Sequence, residues 1–225
     1  MKIGLLVCDH IQEGFPGYPE LFGNLLPHYE LVSYFVCDGN FPISANDHEA
    51  WLITGSKYSV YDGIDWIDRL KVFVREVAKA DKYCIGVCFG HQVLGEAMGG
   101  KVLKSPIGWC VGVHQFDIIV SVNWITPKQQ KVNLLMSCQD QIQALPPNSK
   151  VIAKAPNCPV GMIQIGNKML GMQGHPEFAA DYVKYLMEDR TNSIGEQTVK
   201  VGVESLKTST HSLILSQWIS NFLCQ

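Results

Sequence analysis

The sequence predicts an α/β fold: a mostly parallel central sheet flanked by helices, extended by antiparallel strands and closed by a helical C-terminal tail. Three observations predict it. Apolar strand-like runs alternate with a helical period in the first hundred residues, the pattern of a parallel sheet covered on both faces. After Gly100 the chain becomes a series of strand-like runs separated by short turns, and from Ala179 the helical period returns.

Taken in order, Lys2–Cys8, Glu30–Cys37 and Ala50–Thr54 read as strands. Ile64–Ala80 reads as a helix because Ile67, Leu70, Val74 and Val77 recur on one face. Tyr83–Val87 is a strand and His91–Met98 a helix that stops at Gly99-Gly100. Lys101–Leu103, Val111–Val120, Val132–Met136, Val151–Ala155, Val160–Ile165 and Met169–Met172 follow as strands, expected as hairpins laid against the parallel core. Ala179–Asp189, Gly195–Leu206 and Ser212–Leu223 are helical, and Arg190–Gly195 reads as a loosely packed polar connection. The 225 residues fit one domain spanning 1–225, with 179–225 as a helical extension.

The composition excludes several function classes. A formal net charge of −3 without a basic cluster argues against a nucleic-acid partner. The apolar start Ile3–Val7 is followed at once by Asp9, His10 and Glu13, so it reads as a buried strand rather than a signal peptide. No apolar run approaches the roughly 18–20 residues of a membrane span, and a cytoplasmic location without membrane contact is expected. The eight cysteines include no Cys-x-x-Cys pair and no His/Cys cluster with zinc spacing, so neither metal nor organic cofactor is expected. Cys8, Cys37, Cys84, Cys158 and Cys224 read as small hydrophobes. His10, His28 and His48 fall in polar stretches and read as solvated.

Cys88 stands apart. Gly86-Val87-Cys88-Phe89-Gly90 follows an apolar strand and opens a helix, the pattern of a nucleophile elbow. The backbone is crowded there, so the flanking positions need residues without a β-carbon. The sulfur then stands at a helix N-terminus, where unpaired N–H groups and the helix dipole stabilise an anion. A cysteine nucleophile needs a base, and the base needs an orienting group. Gly174-His175-Pro176-Glu177-Phe178 supplies both: His175 and Glu177 are two apart and share a face in extended backbone, and Pro176 biases His175 to that geometry. An oxyanion needs two donors. The Phe89 N–H is one, and the turn Thr54-Gly55-Ser56 after Trp51-Leu52-Ile53 offers the second. The segment Lys57–Asp62 and the loop Gly108–Gly112, with Trp109, are candidates for the pocket rim, whereas Tyr58, Tyr61 and Trp66 read as packing.

Together these motifs resemble class I glutamine amidotransferases with a Cys-His-Glu triad, specifically their stand-alone, guanylate-synthase-like members and plant-type γ-glutamyl peptidases. Gly86-Val87-Cys88-Phe89-Gly90-His91-Gln92 is similar to that family's elbow, and His175-Pro176-Glu177 to its histidine–glutamate signature. Ile53-Thr54-Gly55-Ser56 resembles its oxyanion strand, although many members have Gly-Gly-Pro where this chain has Gly55-Ser56-Lys57. The likeness runs from Met1 to about Phe178. It implies a flavodoxin-like core, Cys88 as nucleophile, His175 as base and Glu177 as its orienter. It also implies Gly55 and Phe89 as oxyanion donors, with Gln92 lining a γ-glutamyl pocket. Ser137, Cys138 and Asp140 would grip the amino-acid end of the substrate. Here the chain departs from the family, because Cys138 stands where members with Ser-His-x-Asp carry histidine. If the backbone does the gripping, cysteine is tolerated; if the imidazole does, specificity has shifted away from free glutamine.

The resemblance implies hydrolysis of a γ-glutamyl amide, whether glutamine or a γ-glutamyl compound, through a Cys88 thioester. About three helices follow the triad, so the chain is expected either to feed a separate synthase subunit or to act alone. Two other readings stand beside this one. A non-catalytic binding or regulatory protein on the same scaffold would be expected to lose a triad member, and none is lost. A cysteine α/β-hydrolase would order its triad nucleophile, acid, histidine, whereas here the acid follows the histidine.

Overall fold

The computed structural model describes residues 1–225. Strand β1 (Lys2–Val7), helix α1 (Tyr18–Leu25), β2 (Glu30–Phe35), β3 (Ala50–Ile53), α2 (Asp65–Lys79), β4 (Tyr83–Val87) and α3 (Phe89–Ala97) build the first half. Strands β5 (Lys101–Lys104), β6 (Cys110–Ile118), β7 (Lys131–Cys138), β8 (Asp140–Ala144), β9 (Ser149–Ala155), β10 (Cys158–Ile165) and β11 (Met169–Met172) follow. The tail is α4 (Ala180–Asp189), α5 (Thr191–Ile194), α6 (Glu196–Ser205) and α7 (Ser212–Leu223).

Nine strands form one sheet in the order β2-β1-β3-β4-β11-β10-β9-β6-β7. The pairs from β2 to β11 are parallel, and those from β11 to β7 are antiparallel. The later strands therefore continue the parallel sheet rather than lying against it as hairpins. The wing also curls: the His175 N–H, just past β11, donates to the Leu135 carbonyl of β7 at 2.8 Å. Strands β5 and β8 form a separate ribbon.

Alternation along the parallel strands feeds two cores. Leu5, Leu52, Ile85 and Val87 join one core with the apolar faces of α1, α4, α6 and α7, whereas Leu6, Trp51, Ile53 and Cys84 join the other with α2 and α3. The tail helices are part of this packing. Leu215, Trp218, Ile219 and Phe222 of α7 are completely buried, and burial of such side chains contributes roughly 1.5–3 kcal/mol each. The connection at Arg190–Gly195 is better packed than the sequence suggests, since it holds the short helix α5 and buries Ile194.

Besides α5, two elements escaped the sequence reading, α1 and β8. Helix α1 is short, carries Pro19 in its first turn and contains Gly23; it is held by burying Tyr18, Phe22 and Leu25. Strand β8 is mostly polar and buries only Gln141 and Ile142. His48 also departs from expectation. It is buried rather than solvated, edge-on to the Trp51 ring at 4.9 Å and hydrogen-bonded to the Tyr34 hydroxyl at 3.0 Å. Cys8, Cys84 and Cys158 are buried, Cys37 is half-buried and Cys224 is exposed.

Candidate active site

Four adjacent parallel strands, β1, β3, β4 and β11, end at one edge of the sheet. Their carboxyl ends deliver Asp9, Gly55, Cys88 and His175 to that edge, where open α/β sheets bind ligands.

The elbow is tight. Cys88 has φ 51° and ψ −103°, a conformation that costs about 1–3 kcal/mol and persists only where the surroundings enforce it. The Cys88 N–H is tied to the Met172 carbonyl at 2.8 Å and the Gly90 N–H to the Thr54 carbonyl at 3.1 Å. A β-carbon on Gly86 would overlap the Gly90 carbonyl, and one on Gly90 would overlap the Ile53 carbonyl. Both glycines are thus required by the backbone crossing beneath Cys88.

The turn after β3 is fixed by the end of β1. The Cys8 N–H donates to Thr54 Oγ1 at 2.9 Å, and Ser56 Oγ donates to the Cys8 carbonyl at 2.9 Å. Asp9 accepts from the Lys57 N–H at 2.9 Å and pairs with Lys57 Nζ at 3.1 Å. These bonds tie the turn to the end of β1. The Gly55 N–H is left without an acceptor in the protein, as an oxyanion donor must be. Phe89 is the first residue of α3, where an N–H has no intrahelical partner.

His175 and Glu177 meet as their spacing predicts. His175 Nδ1 lies 2.8 Å from Glu177 Oε1, with both side chains almost fully buried. The imidazole stacks on Phe178, ring centres 4.1 Å apart and planes 10° apart. With Nδ1 held by the carboxylate, Nε2 is the nitrogen free to exchange a proton. A β-carbon on Gly55 would stand 3.0 Å from His175 Cε1 and 3.7 Å from Cys88 Cβ, so nucleophile, imidazole and oxyanion turn are near neighbours. Burial alone would lower the pKa of His175. The charges of Cys88 and Glu177 outweigh burial and raise it to about 10.

Cys88 opens into a cleft of ≈ 210 Å³ that is also lined by Gln92, Ser137, Cys138 and Asp140. Gln92 Nε2 donates to the Asp140 carbonyl at 2.8 Å and to Gln173 Oε1 at 3.3 Å. The Asp140 carboxylate accepts from Ser59 Oγ at 2.5 Å and Tyr61 Oη at 2.8 Å. Tyr61 thereby positions a cleft residue, and Tyr58 both lines the cleft and packs edge-on against Trp66. Ser137 Oγ is buried without a partner. Cys138 faces the same cleft, and burial followed by the charge of nearby Cys88 raises its thiol pKa well above the usual range. Trp109, one of the candidates for the rim, lines the cleft. A second, smaller recess continues on the His175 side, lined by Tyr18, Phe178, Tyr182 and Leu186. Arg190 borders both spaces; nothing in its sequence context signals this, because the fold brings it there.

One group, on the surface, gathers metal-ligand atoms: His10, Cys37 and Asp38 lie within 4.8 Å of one another. His10 Nε2 is already paired with Asp38 Oδ1 at 3.0 Å. No helix is long and apolar enough to cross a membrane.

Comparison with known proteins follows the same lines. The family model described as glutamine amidotransferase class-I matches residues 40–189. Gamma-glutamyl peptidase 4 of Arabidopsis thaliana is 31% identical over 182 residues, covering 77% of this chain and 72% of the relative. The glutamine-hydrolysing GMP synthase of Caldanaerobacter subterraneus subsp. tengcongensis is 32% identical over 114 residues, covering 47% of this chain and 22% of that protein. The crystal structure of a glutamine amidotransferase from Thermotoga maritima superposes with a TM-score of 0.79 at 15% identity over 99% of both chains, a likeness of fold. The chain belongs to the class I glutamine amidotransferase family.

Proposed function

We propose that this amidotransferase-family chain hydrolyses γ-glutamyl amides through a thioester on Cys88. The observation that carries the reading is the convergence of three elements at one sheet edge. They are a strained cysteine at a helix N-terminus, a buried His175–Glu177 pair of 2.8 Å beside it, and the unpaired Gly55 N–H.

In the acylation step the Cys88 sulfur, as thiolate, attacks the γ-carbonyl carbon. The carbonyl oxygen becomes an oxyanion between the Gly55 and Phe89 amides, an arrangement that stabilises charge developing only in the transition state. As the C–N bond breaks, the proton on His175 Nε2 passes to the leaving nitrogen. Water then enters; His175 takes its proton, the hydroxide oxygen attacks the thioester, and the C–S bond breaks to release the glutamate γ-carboxylate. Glu177 keeps Nδ1 protonated throughout and balances the imidazolium. Gln92, Ser137, Cys138 and Asp140 shape the space for the glutamyl group. Cys138 removes the family histidine from this wall and leaves only the cysteine side chain there.

The named relatives favour two uses of this chemistry. Gamma-glutamyl peptidases favour autonomous cleavage of γ-glutamyl compounds. The GMP synthases, of which this chain spans about a fifth, favour ammonia supply to a synthase partner. Glutamate release by the purified protein, from glutamine and from γ-glutamyl peptides and amines, separates them. Turnover of peptides with glutamine poor is expected and supports the peptidase; turnover confined to glutamine supports ammonia supply. Turnover that survives Cys88→Ala contradicts both.

A further inference from the structure

The smaller recess has a chemical character that the hydrolase reading leaves unassigned. Resting on that reading, the two spaces that meet at Cys88 have separate duties. His175 must protonate the departing nitrogen, so the leaving group passes out on the His175 side. The glutamyl group then takes the larger space beside Gln92 and Asp140.

Three features of the leaving-group side bear on what departs. Tyr182 and Leu186, successive turns of α4, give it an apolar wall. Two cations border it, Lys57 and Arg190. Lys57 is already neutralised by Asp9 at 3.1 Å. Arg190 forms no ion pair and no side-chain hydrogen bond within the protein, although it is half-buried. Its backbone is nevertheless fixed. It ends α4 through its N–H to the Leu186 carbonyl at 3.2 Å, and its own carbonyl starts α5 by accepting from the Ser193 and Ile194 N–H groups at 2.9 and 3.0 Å. Ile194 is buried and Thr191 Oγ1 bonds back to the Glu188 carbonyl at 2.8 Å, which anchors the turn. A half-buried arginine without a counter-ion, whose backbone is fixed and whose side chain lines the spaces beside the nucleophile, is suited to a planar carboxylate.

We infer that Arg190 forms a subsite for the carboxylate of the leaving group, so that the preferred substrates are γ-glutamyl peptides with a free C-terminal carboxylate rather than glutamine or neutral γ-glutamyl amines. The recess itself is only ≈ 30 Å³, so the amino acid between the scissile nitrogen and that carboxylate lies across its mouth, against Tyr182 and Leu186, rather than inside it.

The test compares γ-glutamylglycine with γ-glutamylglycinamide, which share the glutamyl end and differ only in the leaving-group charge, with glutamine as the reference lacking a leaving side chain. The wild type is expected to favour γ-glutamylglycine over the amide by about 10- to 100-fold in kcat/KM, the worth of a charge-assisted hydrogen bond. Arg190→Ala brings that ratio close to one, and Arg190→Lys restores part of it. A ratio near one in the wild type, or a wild-type ratio retained by Arg190→Ala, overturns the subsite. The second result would mean that Arg190 holds the glutamyl α-carboxylate, common to both substrates, or only supports the fold. Absence of Cys88-dependent glutamate release from all three compounds overturns the hydrolase reading itself, and the subsite with it.

Discussion

Two histidines of this protein are equally hidden from water and titrate in opposite directions. His91, three residues after the nucleophile in α3, is completely buried against the backbone of Gly171 and Val160, and burial lowers its pKa to about 4. His175 is buried on the other side of the elbow, yet its pKa is raised to about 10 by Cys88 and Glu177 against the pull of burial. Desolvation acts alike on both and disfavours the cation. What differs is the counter-charge. One imidazole is a neutral packing element, and the other holds its proton and, in the proposed mechanism, passes it to the leaving amine. Burial near a nucleophile therefore does not by itself ready a histidine to donate a proton; the carboxylate 2.8 Å from one ring nitrogen, together with the neighbouring Cys88, is what sets His175 apart from His91.

Breaking the active region should have the largest effect. Cys88→Ala is expected to reduce turnover by about 10⁴-fold or more, in line with loss of a triad member, while circular dichroism and the melting profile stay native-like. Retained glutamate release would remove Cys88 from the chemistry. Next comes Glu177→Gln, which keeps the shape but removes the charge that holds the His175 proton. A loss of about 10²–10⁴-fold in kcat is expected, checked by steady-state kinetics against the wild type.

The pH dependence sharpens the same contrast. His175 must carry a proton to give to the leaving nitrogen, so acylation should weaken as pH rises through about 10, where that proton is lost. Carbon-13 NMR of labelled histidine should find the His175 ring protonated up to that pH and His91 neutral down to about 4. In Cys88→Ala the His175 midpoint should fall, because one of the charges raising it is gone. A wild-type midpoint near the ordinary value of about 6.5 would break the comparison. The smallest effect belongs to His91. His91→Gln should lower stability by about 1–2 kcal/mol through lost packing and leave the pH profile of turnover where it was, as measured by denaturant melts alongside rate profiles.

The difference between the two regions also explains what could be read before the fold was known. The elbow and the His-x-Glu pair were legible because both depend on local spacing: glycines at Gly86 and Gly90 where backbones cross, and carboxylate and imidazole on one face of an extended segment. The parallel half of the sheet was legible from alternation. The continuation of the sheet through β10 was not, because nothing local tells an antiparallel neighbour from a separate hairpin. Helix α1 was hidden by its length and Gly23, and β8 by its polarity. His48 looked solvated because its stretch is polar; the edge of Trp51 covers it. Arg190 lies in a connection without any motif, and only the packing of α4 and α5 brings it to the border of the cleft that Cys88 lines.

Acid-quenched mass spectrometry during turnover of γ-glutamylglycine tests the central claim most directly. The account predicts a mass gain of one γ-glutamyl group, mapped to the peptide carrying Cys88 and absent from Cys88→Ala. Glutamate release with the acyl group on another residue, or with Cys88 unmodified while Cys88→Ala remains active, would contradict it.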